Sequence, residues 1–291
     1  MAGFARRIYI LPISLSYDFI LIHREASPIG PPIFEWLLAK IFQKKIIFDF
    51  DDAIWFENTS QSNKLATLIK FPQKVRMICS WSYKVSAGNT YLGQFASQYC
   101  NQVVVNPTTI DTEQLHKPQP YKNDKVVVGW TGTHSTLKYL NEIANVLNSL
   151  LAELDFEILI IADKKPEDLG FEHKFLPWNK LTEIEDLNQI DIGIMPLSND
   201  KWSKGKCGFK ALQYMALEKP VVASPVGVNT EIIENEITGF LCTNRNEWIS
   251  ALKALIANEA LRKEIGKKGR KTVIERYSVL SNRQNFLSLF E

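Results

Sequence analysis

The sequence predicts an α/β protein made of two doubly wound parallel-sheet domains, the first of them incomplete. Three observations point there. Short runs rich in Val, Ile and Phe alternate with amphipathic helical stretches along the chain, the pattern of βαβ units whose strands are covered on both faces. At 291 residues the chain exceeds the usual size of a single hydrophobic core. Between two such alternating series lies "TTIDTEQLHKPQPYKND" (108–124), whose prolines and turn formers mark a boundary.

The first series reads as strands at "DFILIH" (18–23), "KIIFDF" (45–50), "YKVSAG" (83–88) and "NQVVVNP" (101–107), with a helix started by prolines at "PPIFEWLLAKIFQ" (31–43). It opens without a strand and glycine-rich turn, the usual start of a doubly wound domain. The expectation is therefore a partial domain over 1–110, a linker over 111–124 and a second domain over 125–291. The second series begins with strand "KVVVGWTG" (125–132). A helix over 135–154 follows, with Leu137, Leu140, Ile143, Leu147, Leu150 and Leu154 at helical spacing. Strands follow at 156–162, 174–178, 191–197, 220–224 and 238–242, helices near 182–189 and 208–217, and two amphipathic helices close the chain.

Composition excludes several classes. A hydrophobic share of 45% and a charged share of 23% are those of a soluble globular protein, and a net charge of +2 gives no reason to expect nucleic acid. Cys79, Cys100, Cys207 and Cys242 form no CxxC pair and have no histidine at metal spacing, so a reducing cytoplasm and no metal site are expected. Pro12, Tyr17 and Asp18 interrupt the apolar N-terminus, which argues against a signal peptide, and no stretch of about 20 apolar residues suggests a membrane span.

The basic cluster Lys201, Lys204, Lys206 and Lys210 stands at the start of helix 208–217. If Phe209, Leu212, Met215 and Ala216 are buried, Lys210 and Gln213 share one side, three residues apart. Gly205 and Gly208 would let backbone approach a ligand, and lysines beside a helix N-terminus suit a phosphate or diphosphate. The neutral Gln213 amide suits a ribose hydroxyl. The competing reading is a solvated lysine face. The turn "GWTGTHSTLK" (129–138) favours the site, because Gly132 and a helix capped by Thr133 or Ser135 make a second anion-binding turn at a strand's carboxyl end. His134 reads as a surface or capping residue. Trp178 either lines a pocket for a flat base or fills a core, and Asn229 is a candidate donor and helix cap. In "FDFDDAIW" (48–55), Asp51 and Asp52 end a strand. Mutual repulsion would suit one of them to general-base work, and the alternative is a helix N-cap pair. His23, Arg24 and Glu25 line the same cleft or form a surface ion-pair group.

Taken in order, "FDFDDAIW", "VVVNPTTIDTEQLHKP", "VGWTGTHSTLKYL", "DIGIMPL", "KCGFKALQYMALEKPVVASPVGVNTEII" and "TGFLC" resemble the family 4 glycosyltransferases of GT-B fold. The resemblance covers nearly the whole chain. It implies two Rossmann-like domains, a nucleotide-diphosphate sugar donor held by the second and a glycan or lipid-linked acceptor held by the first, with the reaction between them. It places Lys210 at the diphosphate, Gln213 at the ribose, and Gly132 and Thr133 across from them, with no metal required; Lys206 and Lys204 are near it in sequence as further phosphate candidates. Many members carry two glutamates eight positions apart here, whereas this chain has Gly205 and Gln213, so the usual sugar contact is absent. Members also begin with further elements, so part of the acceptor side is expected to be missing. The alternative function is a non-catalytic remnant or partner subunit that only binds nucleotide. A nucleotide-sugar epimerase is disfavoured by scattered histidines, and a dehydrogenase by the lack of GxGxxG after any strand. The basic and aromatic stretch "WLLAKIFQKK" suggests peripheral contact with a membrane surface.

Overall fold

Strands joined in parallel need crossovers of a dozen residues or more, and the spacing of the apolar runs provides them. The computed structural model describes residues 2–27, 30–56, 71 and 73–291. They form two compact units, each on one parallel sheet.

The first unit comprises Met1–Thr108, Lys204–Cys207 and Arg283–Glu291. Its strands β1 (Phe19–His23), β2 (Lys45–Phe50), β3 (Lys84–Ala87) and β4 (Val103–Val105) lie in sequence order. Ile46, Ile47, Phe48 and Phe50 of β2 are all fully buried, as expected of a strand covered on both faces. The helix anticipated over 31–43 starts after Pro32 as Ile33–Trp36 and continues as a π-helical turn, Leu37–Ile41. The helix Thr90–Ala96 is capped by Asn89, whose side chain accepts from the Leu92 N–H. An N-terminal helix, Ala2–Ser14, was not legible in the sequence, and it leaves Ile8, Tyr9, Ile10 and Ile13 exposed.

Two short pieces correct the contiguous reading of a second domain over 125–291. Arg283–Glu291 packs in the first unit, where Ser288 O accepts from Lys84 Nζ at 2.6 Å, Val105 O accepts from Asn285 Nδ2 at 3.0 Å, and Phe290 meets Phe19 edge-on. Lys204–Cys207 also belongs there. Asn89 Nδ2 donates to the carbonyls of Gly205 and Lys206 at 3.2 and 3.1 Å, and a Cβ on Gly205 would stand 2.6 Å from that of Ala53.

The second unit comprises Thr109–Ser203 and Gly208–Asn282. Its six strands, β5 (Val126–Gly132), β6 (Phe156–Ala162), β7 (Lys174–Pro177), β8 (Ile192–Met195), β9 (Val221–Ala223) and β10 (Phe240–Leu241), are ordered β10-β9-β8-β5-β6-β7, all parallel. Alternate residues feed two cores. Val127, Leu159 and Ile161 join Leu212, Tyr214 and Met215 on one face, while Val128, Trp130, Ile158 and Ile160 join Leu147, Leu150 and Trp248 on the other.

The segment expected to be a linker, 111–124, is instead tied to this unit. Ile110 is buried and bridges Ser278, and the Arg270 guanidinium donates to the carbonyls of Thr112 and His116. The single helix expected over 135–154 is divided into a 3-10 turn, His134–Thr136, and two helices, Lys138–Asn141 and Ala144–Leu151. Between the helices the N–H groups of Glu142 and Ile143 bond three residues back, to Tyr139 and Leu140. This tightened turn keeps Ile143, Val146, Leu147 and Leu150 all buried.

Candidate functional site

Strand order in the second unit reverses between β5 and β8, and at such a point an open parallel sheet offers a crevice beyond its carboxyl ends. The crevice begins where the pairing stops. β5 and β8 are in register only at Val128 with Ile192 and Gly129 with Gly193, after which the two strands part. Tyr214, fully buried on helix Phe209–Ala216, fills the wedge between them. Its ring lies so close to Gly193 that a Cβ there would stand 2.3 Å from ring carbons, and its hydroxyl accepts the Thr131 N–H at 2.8 Å. Helix and turn are thus fixed to one another by one side chain.

The turn after β5 is built as its residues dictate. Thr133 caps the 3-10 turn and forms a capping box with Thr136, and Thr133 Oγ1 lies 2.9 Å from Ser135 Oγ. Gly132 has no room for a side chain, because a Cβ would be 2.4 Å from the Trp130 ring and 2.9 Å from Thr136 Oγ1. Asp163, directly after β6, accepts from the His134 N–H at 2.6 Å and holds its ring Nδ1 at 2.8 Å, which keeps the Asp163 carboxyl below the usual range. His134 therefore serves the turn. Lys210 reaches the same end of the sheet, its ammonium 5.6 Å from the Trp130 ring centroid.

A second group stands one helical turn along. Gln213 Nε2 donates to Glu183 Oε1 at 3.3 Å, and Trp178 Nε1, after β7, donates to the same oxygen at 3.0 Å. Trp178 is 43% exposed, so its place is at a surface and not in a core. The helix Phe209–Ala216 differs from expectation at two positions. Phe209 is exposed, whereas Gln213, expected beside Lys210 on an open side, is only 1% exposed. The packed face is Ala211, Leu212, Tyr214 and Met215, with Gln213 drawn in by Glu183.

Other expected contacts have different local causes. Gly205 and Gly208 each have a packing reason to lack a side chain. Gly205 packs against Ala53, and Gly208 adopts φ 71°, where a Cβ would also meet Ile232 at 2.3 Å. Lys206 lies in the first unit, so the structure does not group it with Lys210. Asn229 is not the cap of its helix, which starts at Asn229 itself after Val228. Nor is it a ready donor: it is fully buried, its Nδ2 is engaged by Ser224 O at 3.1 Å, and Oδ1 is unpaired among the described residues. A separate concavity of about 360 Å³, lined by Asn199, Ser224, Cys242 and Arg245 among others, holds none of the candidate catalytic or donor-binding residues.

In the first unit Asp51 and Asp52 follow β2, with no helix after them for an N-cap among the described residues. Arg24, at φ 60°, bonds Asp51 Oδ1 through Nε at 2.9 Å and Asp52 Oδ2 through Nη2 at 2.8 Å. The repulsion expected between adjacent acids is therefore relieved by one guanidinium. His23, Asp49 and Ser86 stand in register across three strands, with Asp49 bonded to His23 Nδ1 at 2.7 Å and to Ser86 Oγ at 2.6 Å.

Among the described residues no group of three or more His, Cys, Asp and Glu is placed to hold a metal ion, and no helix is long and apolar enough to cross a membrane. Sequence reading missed Glu183, Asp163 and Tyr214. Only Glu183 had a signal: an acid at a helix start, five residues after a tryptophan that ends a strand.

Residues 125–258 match the family described as Glycosyl transferases group 1. Over 177 residues, 57% of this chain and 45% of the relative, the sequence is 22% identical to N-acetyl-alpha-D-glucosaminyl L-malate synthase of Bacillus anthracis. The chain thus spans less than half the length of that curated relative. Sucrose-phosphate synthase of Thermosynechococcus elongatus is similar with a TM-score of 0.72 at 15% identity, over 99% of this chain and 77% of that one. Anabaena Alr3699/HepE in complex with UDP gives 0.71 at 17% identity, over 98% of this chain and 81% of that one. The fold is GT-B. The family match begins at β5 and runs past β10, so it contains Gly132, Thr133, Ser135, Trp178, Lys206, Lys210, Gln213 and Asn229. Asp51 and Asp52 of the first unit lie outside it.

Proposed function

We propose that this GT-B protein is a glycosyltransferase of family 4 type that moves a sugar from a nucleotide-diphosphate sugar to a glycan, polysaccharide or lipid-linked acceptor, in the cytoplasm. The observation that carries the reading is the parting of β5 and β8, with Lys210 on one bank and the Thr133 and Ser135 hydroxyls on the other. A cation and short hydroxyls at a sheet's carboxyl edge suit the diphosphate. They also stabilise it as it leaves, since charge on the diphosphate grows as the sugar bond breaks. In this reading the leaving group needs no metal, and activity should survive a chelator.

The nucleoside would extend toward Gln213 and Trp178, the exposed indole offering a face for the base. In the first unit Asp51 and Asp52, both ion-paired with Arg24 at the end of β2, are the candidates to engage an acceptor hydroxyl. Ile33, Trp36 and Ile41 are exposed close in sequence to Lys40 and Lys45, which supports contact with an anionic membrane surface if the acceptor is lipid-linked.

Calorimetric titration with uridine and guanosine diphosphates tests the reading. One of them should bind, and Lys210→Ala should weaken it about 10- to 100-fold, the range for hydrogen bonds to charged groups. Failure of both to bind would sink it. Binding without hydrolysis or transfer of any nucleotide sugar would favour a nucleotide-binding subunit.

A further inference from the structure

We infer that Glu183, and not Gln213, is the residue that reads the ribose of the nucleotide. The inference rests on the donor-site reading above and assigns a residue within it. Gln213 cannot present its amide openly, because it is 1% exposed and its Nε2 is spent on Glu183 Oε1 at 3.3 Å. The orientation of that amide follows from chemistry. A carboxylate accepts and does not donate, so the NH₂ end faces Glu183 and Oε1 turns away. Glu183 itself is half-buried, the reachable member of the pair, and its Oε2 bonds no described residue.

The cluster therefore offers acceptors: the second carboxylate oxygen of Glu183, with the Gln213 amide oxygen behind it. An accepting carboxylate oxygen on the open side fits a diol, whose hydroxyls donate. It repels a phosphate. The opposite end of the site, at Lys210 and the Thr133 turn, has the reverse preference. A ligand with an anionic end and a diol end is thus held in one direction only. Trp178 is part of the same device. Its indole N–H is fixed by Glu183 Oε1 at 3.0 Å, which orients an exposed ring beside the diol position. Gln213 becomes a positioning residue that holds the carboxylate.

The test uses the full chain and four probes, uridine and guanosine diphosphates and their 2′-deoxy forms, titrated against wild type and Glu183→Gln. The substitution keeps a carbonyl oxygen for Trp178 and Gln213 and replaces the other oxygen by a donor. Wild type should prefer the ribonucleotide about 10- to 100-fold, and Glu183→Gln should lose most of that preference while binding the deoxy form nearly as wild type does. Circular dichroism and the urea unfolding midpoint report whether the variant keeps its fold. A ribose preference unchanged in a folded Glu183→Gln, or absent from wild type that binds both forms, overturns the inference alone. A wild type that binds none of the four probes overturns the donor-site reading and this inference with it. If Glu183 only supports Trp178 and Gln213, ribo and deoxy affinities will fall together, which also overturns it.

Discussion

Removing one oxygen atom, by Tyr214→Phe, tests how the crevice is held. The Tyr214 hydroxyl is the acceptor for the Thr131 N–H at 2.8 Å, at a level where β5 no longer pairs with β8. Thr131 is 6% exposed and the tyrosine ring is fully buried against Gly193, so phenylalanine keeps the packing and orphans one backbone donor. A buried donor left without its partner costs about 1–3 kcal/mol. The lower half of that range is expected here, because the wedge opens toward solvent at the carboxyl end of the sheet and a water can enter.

Native-state hydrogen exchange is the assay, since it resolves the second unit from the first by residue. The Thr131 amide should lose about 5- to 30-fold of its protection, the equivalent of about 1–2 kcal/mol, while amides of β2 and β3 in the first unit stay unchanged. Urea unfolding should show a lower midpoint with the same slope. Wild-type protection at Thr131 together with a stability change below about 0.3 kcal/mol would mean the hydroxyl does not carry this bond, and the account of the wedge would be wrong.

Three further outcomes are expected. Gly193→Ala should be more damaging than Tyr214→Phe, by more than about 3 kcal/mol in unfolding experiments, because the new methyl would stand 2.3 Å from buried ring carbons that have nowhere to move. Burial pushes the thiols of Cys79, Cys207 and Cys242 up to about 12 from 9.0. Their thiolate fraction at about pH 8 falls by roughly a thousandfold, so iodoacetamide should modify them only after urea unfolds the chain. Burial also lowers the His116 pKa from 6.5. The unfolded chain then binds this proton first as pH falls, so stability declines below about pH 6.5 with a slope of at most about 1.4 kcal/mol per pH unit, down to the native pKa. Both ring nitrogens are unpartnered among the described residues, so His116→Leu should flatten that acid limb in pH-dependent urea titrations without loss at neutral pH.

Strands were legible because a strand covered on both faces must be apolar throughout, and Ile46 to Phe48 or Ile158 to Ile161 can be little else. Prolines and turn formers mark 108–124 as a connection, and they say no more than that. Polar composition says that 111–124 lies at a surface, but not that Arg270, about 150 residues later, will bind its carbonyls. Backbone acceptors carry no sequence signal. The same holds for Arg283–Glu291, whose bonds to the first unit run largely through the carbonyls of Ser288 and Glu291 and the side chain of Asn285.

The glycines illustrate the limit from the other direction. Gly205 and Gly208 were read for ligand approach, yet both, like Gly132 and Gly193, stand where a methyl would strike a neighbour: Ala53, Ile232, the Trp130 ring and the Tyr214 ring. Gly208 has the further reason of its left-handed backbone. Spacing put Lys210 three residues before Gln213 on the helix, which is a local fact of helix geometry. It misplaced the exposure of Gln213 because that depends on Glu183, which arrives from another helix, Glu183–Asn188 between β7 and β8. A polar residue on a helix reads as open until a partner from elsewhere closes over it. The side chain to test is then the partner, which is why the substitution that separates the two readings is made at Glu183.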